Sequence, residues 1–236
     1  MKMPKKGLIK KWTIITVIGA MAIAGAFAYG TFKPNYIIKK NMKETLELEH
    51  AKWANSLGLH SPDMNYTNGV EFIGELNKCV DYLNFTTPPH ERVPLEMLVA
   101  QAALESAWGK SRFAVKANNL FGIRVFKKET PHLLPLGVDK WPGWGVRIFE
   151  TKCDSVKEYL RILNTHPAYI DFRELRNQML KANKPLDAKK LIKTLKSFST
   201  TEDYDMRVIN MMKKINKALN SLEEKKDEKV LPEDKP

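Results

Sequence analysis

The chain has 236 residues with a formal net charge of +12, and 43% of the residues are apolar. That length and apolar fraction suffice for one packed domain of good size with additional segments, and they exclude a wholly disordered chain. The positive charge indicates an anionic partner such as nucleic acid, lipid headgroups or an acidic polymer. Because the sequence has no Gly-rich phosphate loop, zinc-finger spacing or RNA-binding aromatic signature, we expect no nucleic-acid partner.

The amino terminus carries half of the charge excess, with nine lysines and three glutamates in the first 50 residues. Five lysines precede an uncharged run of 19 residues, Trp12 to Gly30, which is long enough to cross a bilayer as a helix. Basic residues stay cytoplasmic. We therefore predict a basic cytoplasmic segment at 1–11 and, at 12–30, a transmembrane anchor or signal peptide that contacts the cytoplasmic membrane. The tripeptide Ala26 to Ala28, which resembles a cleavage site, leaves both alternatives open.

Cys79 and Cys153 are the only cysteines. Outside the cytoplasm they can form a disulfide, but two distant cysteines cannot be paired from sequence, and two buried free thiols are an equal alternative. Neither cysteine has metal-ligand spacing around it. We expect no metal and no cofactor.

Helical periodicity and breaks alternate along the rest of the chain. Residues 31–64 are predicted to form a helical stalk or linker, helical from about Asn35. A loop at 60–69 and a helix at 70–83 follow, and the prolines between Thr86 and Pro94 mark a break. Two short apolar runs, 118–126 and 143–151, flank a Pro- and Gly-rich stretch, which predicts a hairpin with a long excursion.

From Asp154 onward the periodicity is helical again, and the charged residues 223–236 are predicted to form a disordered tail. The domain itself is predicted at 65–222. Its fold class is mainly α with one small β element (α+β), preceded by the transmembrane or signal helix. This arrangement predicts a groove between a helical body and a hairpin.

The segment Val93 to Ser111 is predicted to be an amphipathic helix with a carboxylate in its apolar stripe. Pro94 suits the first helical turn, and Gly109 suits the left-handed conformation that ends a helix. Glu105 falls on the stripe formed by Leu95, Leu98, Val99, Ala102 and Ala103. Desolvation there would raise the pKa of Glu105, as a general acid requires. The alternative is a Glu at the stripe's end that is solvated or paired with Arg112 or Arg124.

Tryptophans accompany this carboxylate. Trp108, Trp141 and Trp144 lie near Glu105 in sequence or in the excursion that would face it. Flat apolar rings with polar edges suit stacking on sugars, although tryptophans more often pack in a core.

Two segments resemble a known family. The run from Leu98 to Arg124 resembles the catalytic motif of the bacterial glucosaminidases, glycoside hydrolase family seventy-three. Residues 101–109 and 118–123 match that motif, with Ala107 where the family usually has glycine. The segment Ser155 to Arg176 is similar to the Bax-type branch of this family. The resemblance extends from Val70 to Leu219.

The resemblance implies a lysozyme-like fold and cleavage of the β-1,4 bond after N-acetylglucosamine in peptidoglycan, whose glycan strands would be the partner. Carried over by motif position, Glu105 is the general acid. The resemblance also implies substrate-binding residues, which are Ser106, Trp108, Asn118, Asn119, Phe121, Gly122, Trp144 and Tyr204. An exported or membrane-anchored basic protein would meet this anionic polymer in the cell envelope, on the periplasmic side of the inner membrane.

The second catalytic group is less defined. Glycosidases usually need a second carboxylate as base or nucleophile. Many family members have a hairpin Glu for this role, and the excursion here offers Glu129 and Asp139, of which we prefer Glu129. The 2-acetamido group of the sugar can instead act as an internal nucleophile. In the carboxyl-terminal family motif, Phe198 replaces the first tyrosine, which lies near the catalytic centre in relatives, and Tyr204 keeps the second.

Three functions remain open from the sequence. The leading one is an endo-β-N-acetylglucosaminidase that hydrolyses peptidoglycan. A lytic transglycosylase shares the fold, the substrate and a single helical Glu, but forms an anhydro sugar. A non-catalytic peptidoglycan-binding envelope protein is the third, because of Phe198 and the undefined second carboxylate.

Overall fold

The computed structural model describes residues 6–32, 36–57 and 61–230. The chain divides into two compact units, of which the first ends at Gly58 and the second begins at Leu59. The first unit contains helices α1 (Lys6–Phe32) and α2 (Tyr36–Ser56). Within α1, the window Trp12–Gly30 has a mean hydropathy of 1.8 and is not buried, so the helix is long and apolar enough to cross a membrane. Helix α2 occupies the predicted stalk, and residues 1–5 and Asn35 lie outside the described residues.

The second unit is mainly helical, as predicted. Its helices are α3 (Gly69–Asn84), α4 (Leu95–Ser106), α5 (Arg112–Ala117), α6 (Lys152–Thr165), α7 (Ile170–Lys181), α8 (Ala188–Ile192) and α9 (Tyr204–Val230). Single 3-10 turns lie at Pro89–Glu91 and Pro167–Tyr169. The strands are β1 (Arg124–Val125), β2 (His132–Leu133) and β3 (Gly145–Arg147).

The small sheet contains the predicted hairpin and one additional strand. Strand β3 lies in the centre, and both β1 and β2 pair with it in antiparallel orientation. The long excursion therefore folds back to add β2 to the hairpin of β1 and β3. Gly145 permits this pairing, because a Cβ atom there would lie 2.5 Å from the His132 ring.

Helix α4 is the centre of the core. All residues from Met97 to Ala103 expose 1% of their surface or less, so the predicted single apolar stripe is wrong. A helix that is covered on all faces is a core helix rather than an amphipathic surface helix. Helix α9 packs most extensively against it, and α3 and α8 cover other faces. The alanines at 100, 102 and 103 let these neighbours approach closely.

The end of α4 also differs from the prediction. The helix ends at Ser106, and Ala107 takes the left-handed C-cap conformation with φ 50° and ψ 52°. Trp108 and Gly109 continue with positive φ values of 58° and 72°. Gly109 is required for a different reason, because a Cβ atom there would lie 2.0 Å from the Tyr66 hydroxyl. The usual family glycine at position 107 is thus the helix-ending residue, and this chain replaces it with alanine.

Cys79 and Cys153 form a disulfide, which decides between the two alternatives left by the sequence. Their Cα atoms are 5.7 Å apart, and both residues are buried. The bond joins α3 to the first turn of α6 across a sequence separation of 74 residues. The closed loop includes α4, α5 and the sheet.

Helix α9 is longer than predicted at its carboxyl end. It continues to Val230, so residues 223–230 are helical where the sequence indicated a disordered tail. The Glu and Lys residues of this segment have high helix propensity, which lets the last turns of a packed helix continue. Residues 231–236 of the predicted tail lie outside the described residues.

Candidate active site

Glu105 lies in the last turn of α4, where this buried helix reaches the surface. The residue is exposed as a whole, yet neighbouring protein atoms desolvate its carboxyl and raise its pKa above the ordinary value of 4.5. The Tyr204 hydroxyl donates a hydrogen bond to the carboxylate, and the positive charge of Arg207 attracts it; both effects oppose the rise without reversing it. Solvent and ligands can therefore reach a carboxyl that retains its proton above its usual range.

The partners of Glu105 come from the first turn of α9. Tyr204 begins that helix and Arg207 follows three residues later, so the two side chains lie on one face. The predicted alternative partners of Glu105 are engaged elsewhere. Arg112 donates to the Leu134 carbonyl at 2.9 Å, and the Arg124 guanidinium lies 4.2 Å from the centre of the Trp144 ring.

Behind Glu105, a row of buried polar groups passes into the core. The Tyr159 hydroxyl donates to Gln101 Oε1 at 2.5 Å, and Gln101 Nε2 donates to the Tyr204 hydroxyl oxygen at 3.2 Å. Tyr159 and Gln101 expose 1% and 0% of their surface, and Tyr204 exposes 8%. Burial raises the pKa of both tyrosines, so their hydroxyls stay protonated at neutral pH.

Phe198 packs on the same tyrosines. Its ring stacks on Tyr204 with centroids 5.5 Å apart and meets the edge of Tyr159 at 6.0 Å. Phe198 has no hydroxyl, whereas the resemblance implied a tyrosine at this position. In this chain the tyrosine hydroxyl that contacts Glu105 comes from Tyr204 instead.

The Asn118 to Gly122 segment forms a tightly bonded turn. Asn119 donates to the carbonyls of Ile123 and Arg147, each at 2.9 Å, while its Oδ1 accepts from the Ile123 amide. Asn118, in the left-handed conformation, donates to the Phe149 carbonyl at 3.1 Å.

This turn is connected to the row of polar groups through Phe121, whose ring stacks on Tyr159 with centroids 4.1 Å apart. Gly122 is exposed and adopts a positive φ of 64°. The side chains of Asn119 and Phe121 thus point inward and determine the shape of the turn, and the exposed position is that of Gly122.

Ser106 and Trp108 serve the end of α4. The Ser106 hydroxyl is fully buried, donates to the Ala102 carbonyl at 2.5 Å and accepts from the Gly109 amide at 2.7 Å. The half-buried Trp108 ring meets the edge of Phe72 at 6.0 Å. Through these contacts, both side chains hold in place the chain reversal that follows Glu105.

Glu129 and Asp139 are both exposed in loops of the sheet. Glu129 lies in the turn between β1 and β2, and Asp139 lies between β2 and β3. The sheet packs against α5, and Arg112 bonds to the loop that follows β2. The charged side chain that perturbs the pKa of Glu105 is Arg207, and neither loop carboxylate contributes.

A cleft of about 620 Å³ lies beyond the end of α4, with Tyr66, Glu71, Gly109, Lys110 and Lys152 in its lining. The Lys152 ammonium lies 5.3 Å from the centre of the Tyr66 ring. Hydrogen bonds from Thr67 lower the pKa of Glu71. Glu105 is not among the residues that line this cleft.

The sequence prediction missed Gln101, Tyr159 and Arg207. Gln101 precedes Glu105 by one helical turn within an otherwise apolar run. A buried amide must find hydrogen-bond partners, so this residue was a detectable signal of a polar network. Tyr159 and Arg207 carried no such signal. Tyr159 reaches this region through its bond to Gln101, and Arg207 reaches it because α9 packs on α4.

Comparisons with known proteins identify the family of this chain. The family described as mannosyl-glycoprotein endo-beta-N-acetylglucosaminidase matches residues 89–217. Protein bax of Escherichia coli (strain K12) is 38% identical over 110 residues, which are 46% of this chain and 37% of that protein. The match therefore spans little more than a third of the relative's length.

Solved structures share the fold. The glycoside hydrolase domain of FlgJ from Salmonella typhimurium aligns with a TM-score of 0.51 and 16% identity, over 70% of this chain and 98% of that domain. A peptidoglycan hydrolase from Sphingomonas sp. A1 aligns with a TM-score of 0.45 and 20% identity, over 64% of this chain and 94% of that one. The alignment with the FlgJ domain confirms the expected lysozyme-like fold, and the family match covers more than half of the sequence. The chain belongs to the glucosaminidase family of glycoside hydrolases.

Proposed function

We propose that this protein is an endo-β-N-acetylglucosaminidase that hydrolyses the β-1,4 bond after N-acetylglucosamine in peptidoglycan. The observation that carries the proposal is Glu105, an accessible carboxyl with a raised pKa at the motif position of the family's general acid. A carboxylic acid that keeps its proton near working pH can donate it to the glycosidic oxygen as the bond breaks.

Tyr204 and Arg207 have complementary roles in this proposal. After Glu105 has given up its proton, the carboxylate accepts the Tyr204 hydrogen bond and is attracted by the Arg207 charge. These contacts stabilise the ionised product of the proton transfer, whereas desolvation favours the protonated reactant. The acid is thus strong enough to donate and still protonated before donation.

For the second group we propose Glu129, which is exposed on the sheet that packs against α5. Its carboxylate would activate water or attack the anomeric carbon from the opposite face of the sugar. If Glu129→Gln and Asp139→Asn both retain the activity of the wild type, the acetamido oxygen of the substrate takes this role. Loss of activity in Asp139→Asn alone would assign the role to Asp139. Asp139→Asn is the matched control, because Asp139 occupies the other exposed loop of the sheet.

The proposed substrate subsites use the rest of the predicted residues. Gly122 and Trp144 border the sheet side, where Asn118, Asn119 and Phe121 hold the turn in place. Ser106 and Trp108 hold the chain reversal that follows Glu105. The positive net charge suits the anionic polymer. The apolar α1 supports a proposed location at the inner membrane facing the periplasm, or export of the enzyme.

Digestion of purified sacculi by the full chain in detergent tests this proposal. Glu105→Gln should lower the rate by about 10²- to 10⁴-fold, the usual contribution of a general acid. Glu96→Gln, an equivalent change in the first turn of the same helix, should retain activity. Equal digestion by wild type and Glu105→Gln would contradict the assignment.

A lytic transglycosylase is the second candidate, because such an enzyme needs only the proposed acid Glu105, and Glu129 and Asp139 lie in exposed loops of the sheet. Such enzymes need one acid and form an anhydro sugar. Mass analysis of the released fragments separates the two, because hydrolysis adds one water and transglycosylation does not. We expect reducing ends at N-acetylglucosamine.

A further inference from the structure

The hydrogen bonds in the row of buried polar groups behind Glu105 all donate in one direction, from Tyr159 to Gln101 and from Gln101 to Tyr204. A tyrosine hydroxyl has one proton and can also accept. Because the Tyr204 oxygen accepts from Gln101 Nε2 at 3.2 Å, its own proton remains available for the Glu105 carboxylate. Whether Gln101 presents its nitrogen or its oxygen to Tyr204 therefore decides whether Glu105 receives a hydrogen bond.

Tyr159 selects that orientation of the amide. Its hydroxyl donates to Gln101 Oε1 at 2.5 Å, which places the amide nitrogen on the Tyr204 side. With the amide reversed, Oε1 would accept the Tyr204 proton, and ionised Glu105 would lose its donor. Gln101 and Tyr159 expose 0% and 1% of their surface, so bulk water does not replace a lost partner.

We propose that Gln101 and Tyr159 are positioning residues, which act through Tyr204 by directing its hydroxyl proton toward Glu105. This inference rests on the proposed role of Glu105 as the general acid. Three elements meet in the arrangement, since Gln101 lies on α4, Tyr159 on α6 and Tyr204 on α9.

The titratable groups around Glu105 define what a pH measurement reports. Tyr204 and Arg207 act on it from α9, and Tyr159 interacts with it from α6. Tyr169, in the 3-10 turn before α7, interacts with Tyr159 and Tyr204. The tyrosine pKa values are raised, so a titration at acidic to neutral pH reports the carboxyl.

The primary experiment measures the titration of Glu105 by carbon NMR, in the full chain in detergent with glutamate labelled at the side-chain carboxyl. The signal is assigned by its loss in Glu105→Gln. Tyr204→Phe should raise the pKa of Glu105 by about one unit, because a hydrogen bond to the charged form is lost. Tyr159→Phe should raise it by about half a unit.

The double variant Tyr159→Phe with Tyr204→Phe is the decisive comparison. If Tyr159 acts through Tyr204, the double variant shifts the pKa of Glu105 no further than Tyr204→Phe alone. Tyr169→Phe is the matched control, because it removes another largely buried hydroxyl from the same core and should leave the titration unchanged. If Tyr159→Phe does not fold, Gln101→Met tests the same inference. This substitution should also raise the pKa of Glu105.

Two results would overturn the inference: an unchanged Glu105 titration in Tyr159→Phe and Gln101→Met, or additive shifts in the double variant. The alkaline limb of the kcat/KM profile should move upward by the same amount as the NMR titration, since a general acid must be protonated. The NMR result does not depend on turnover. Failure of the proposed activity and failure of this positioning role are therefore separately detectable.

Discussion

At the scale of the residue, Glu105 shows how opposing effects set the behaviour of one carboxyl. Desolvation favours the neutral acid, while the Tyr204 hydrogen bond and the Arg207 charge favour the carboxylate. The first effect is the larger, so the pKa is raised. Because the raised pKa belongs to the folded state only, Glu105 should make stability depend on pH.

We predict that Glu105→Gln is more stable than the wild type at pH 8 and equally stable at pH 4. Below the ordinary value of 4.5 the carboxyl is protonated in both folded and unfolded states, and the folded state bears no cost. As the pH rises through the raised folded pKa, the wild type must ionise a desolvated group, whereas glutamine does not. Thermal unfolding of both proteins at the two pH values measures this. A wild type that is the more stable protein at pH 8 would contradict it.

Ala107 is a second residue whose behaviour follows from its backbone. Its left-handed conformation disfavours any residue with a Cβ atom. We expect Ala107→Gly to raise the free energy of unfolding by about 1 kcal/mol and the Tm by about 3 °C. Ala182, an exposed C-cap with φ −84°, is the matched control, and Ala182→Gly should bring no gain. Equal effects of the two variants in thermal unfolding would refute the strain argument.

At the scale of the element, the Bax-type segment Ser155 to Arg176 holds α6 and α7 together. Arg173 donates to the carbonyls of Leu163 and His166 at the end of α6. Arg176 donates to Asn164 at 2.6 Å, and burial lowers the pKa of Arg176 to about 10. The same segment supplies Tyr159 to the site. The segment therefore contributes both to the joining of the two helices and to the network behind Glu105.

The disulfide acts on these elements by closing the loop that contains α4, α5 and the sheet. We predict that replacing both cysteines by alanine lowers the free energy of unfolding by about 4 kcal/mol, because the unfolded chain regains the entropy that the closed loop removes. Denaturant unfolding of the double variant, compared with wild type under oxidising and reducing conditions, tests this. A wild type that is unaffected by reductant would contradict it.

At the scale of the whole molecule, the two units have different surfaces. The apolar window of α1 is unburied, whereas the second unit has a continuous core from α3 to α9. A disulfide persists in oxidising compartments and is rare in the cytosol. The disulfide and the apolar helix thus support one proposed location, the cell envelope.

We predict that the full chain, carrying a carboxyl-terminal tag, sediments with membranes and resists carbonate extraction. Replacing Ala20 and Ile23 by arginine should release it, because a charge in the bilayer centre is costly. Gel mobility separates an uncleaved anchor from a removed signal peptide, since the uncleaved protein keeps the full 27.1 kDa of the chain in addition to the mass of the tag. A soluble full-length protein would exclude the anchor.

The sequence by itself determined the order of most elements and the contiguous motif on which the proposal of Glu105 as the acid rests. Periodicity, prolines and helix-forming residues are local signals, so the helices and the hairpin of β1 and β3 were predictable. The motif around Glu105 is also contiguous. Local signals cannot report what covers a helix, and for that reason a stripe on α4 is predicted where the structure buries every residue from Met97 to Ala103.

Only the tertiary structure decided the surroundings of the acid. Gln101 precedes Glu105 by four residues, but Tyr159 and Tyr204 follow Glu105 by 54 and 99 residues. Tyr204 reaches it because α9 packs on α4, and Tyr159 joins the same network through its hydrogen bond to Gln101. The Cys79 to Cys153 pairing and the third strand likewise join distant segments. A sequence specifies residue types in order, whereas pKa values and hydrogen bonds depend on distances between atoms that only the packed core establishes.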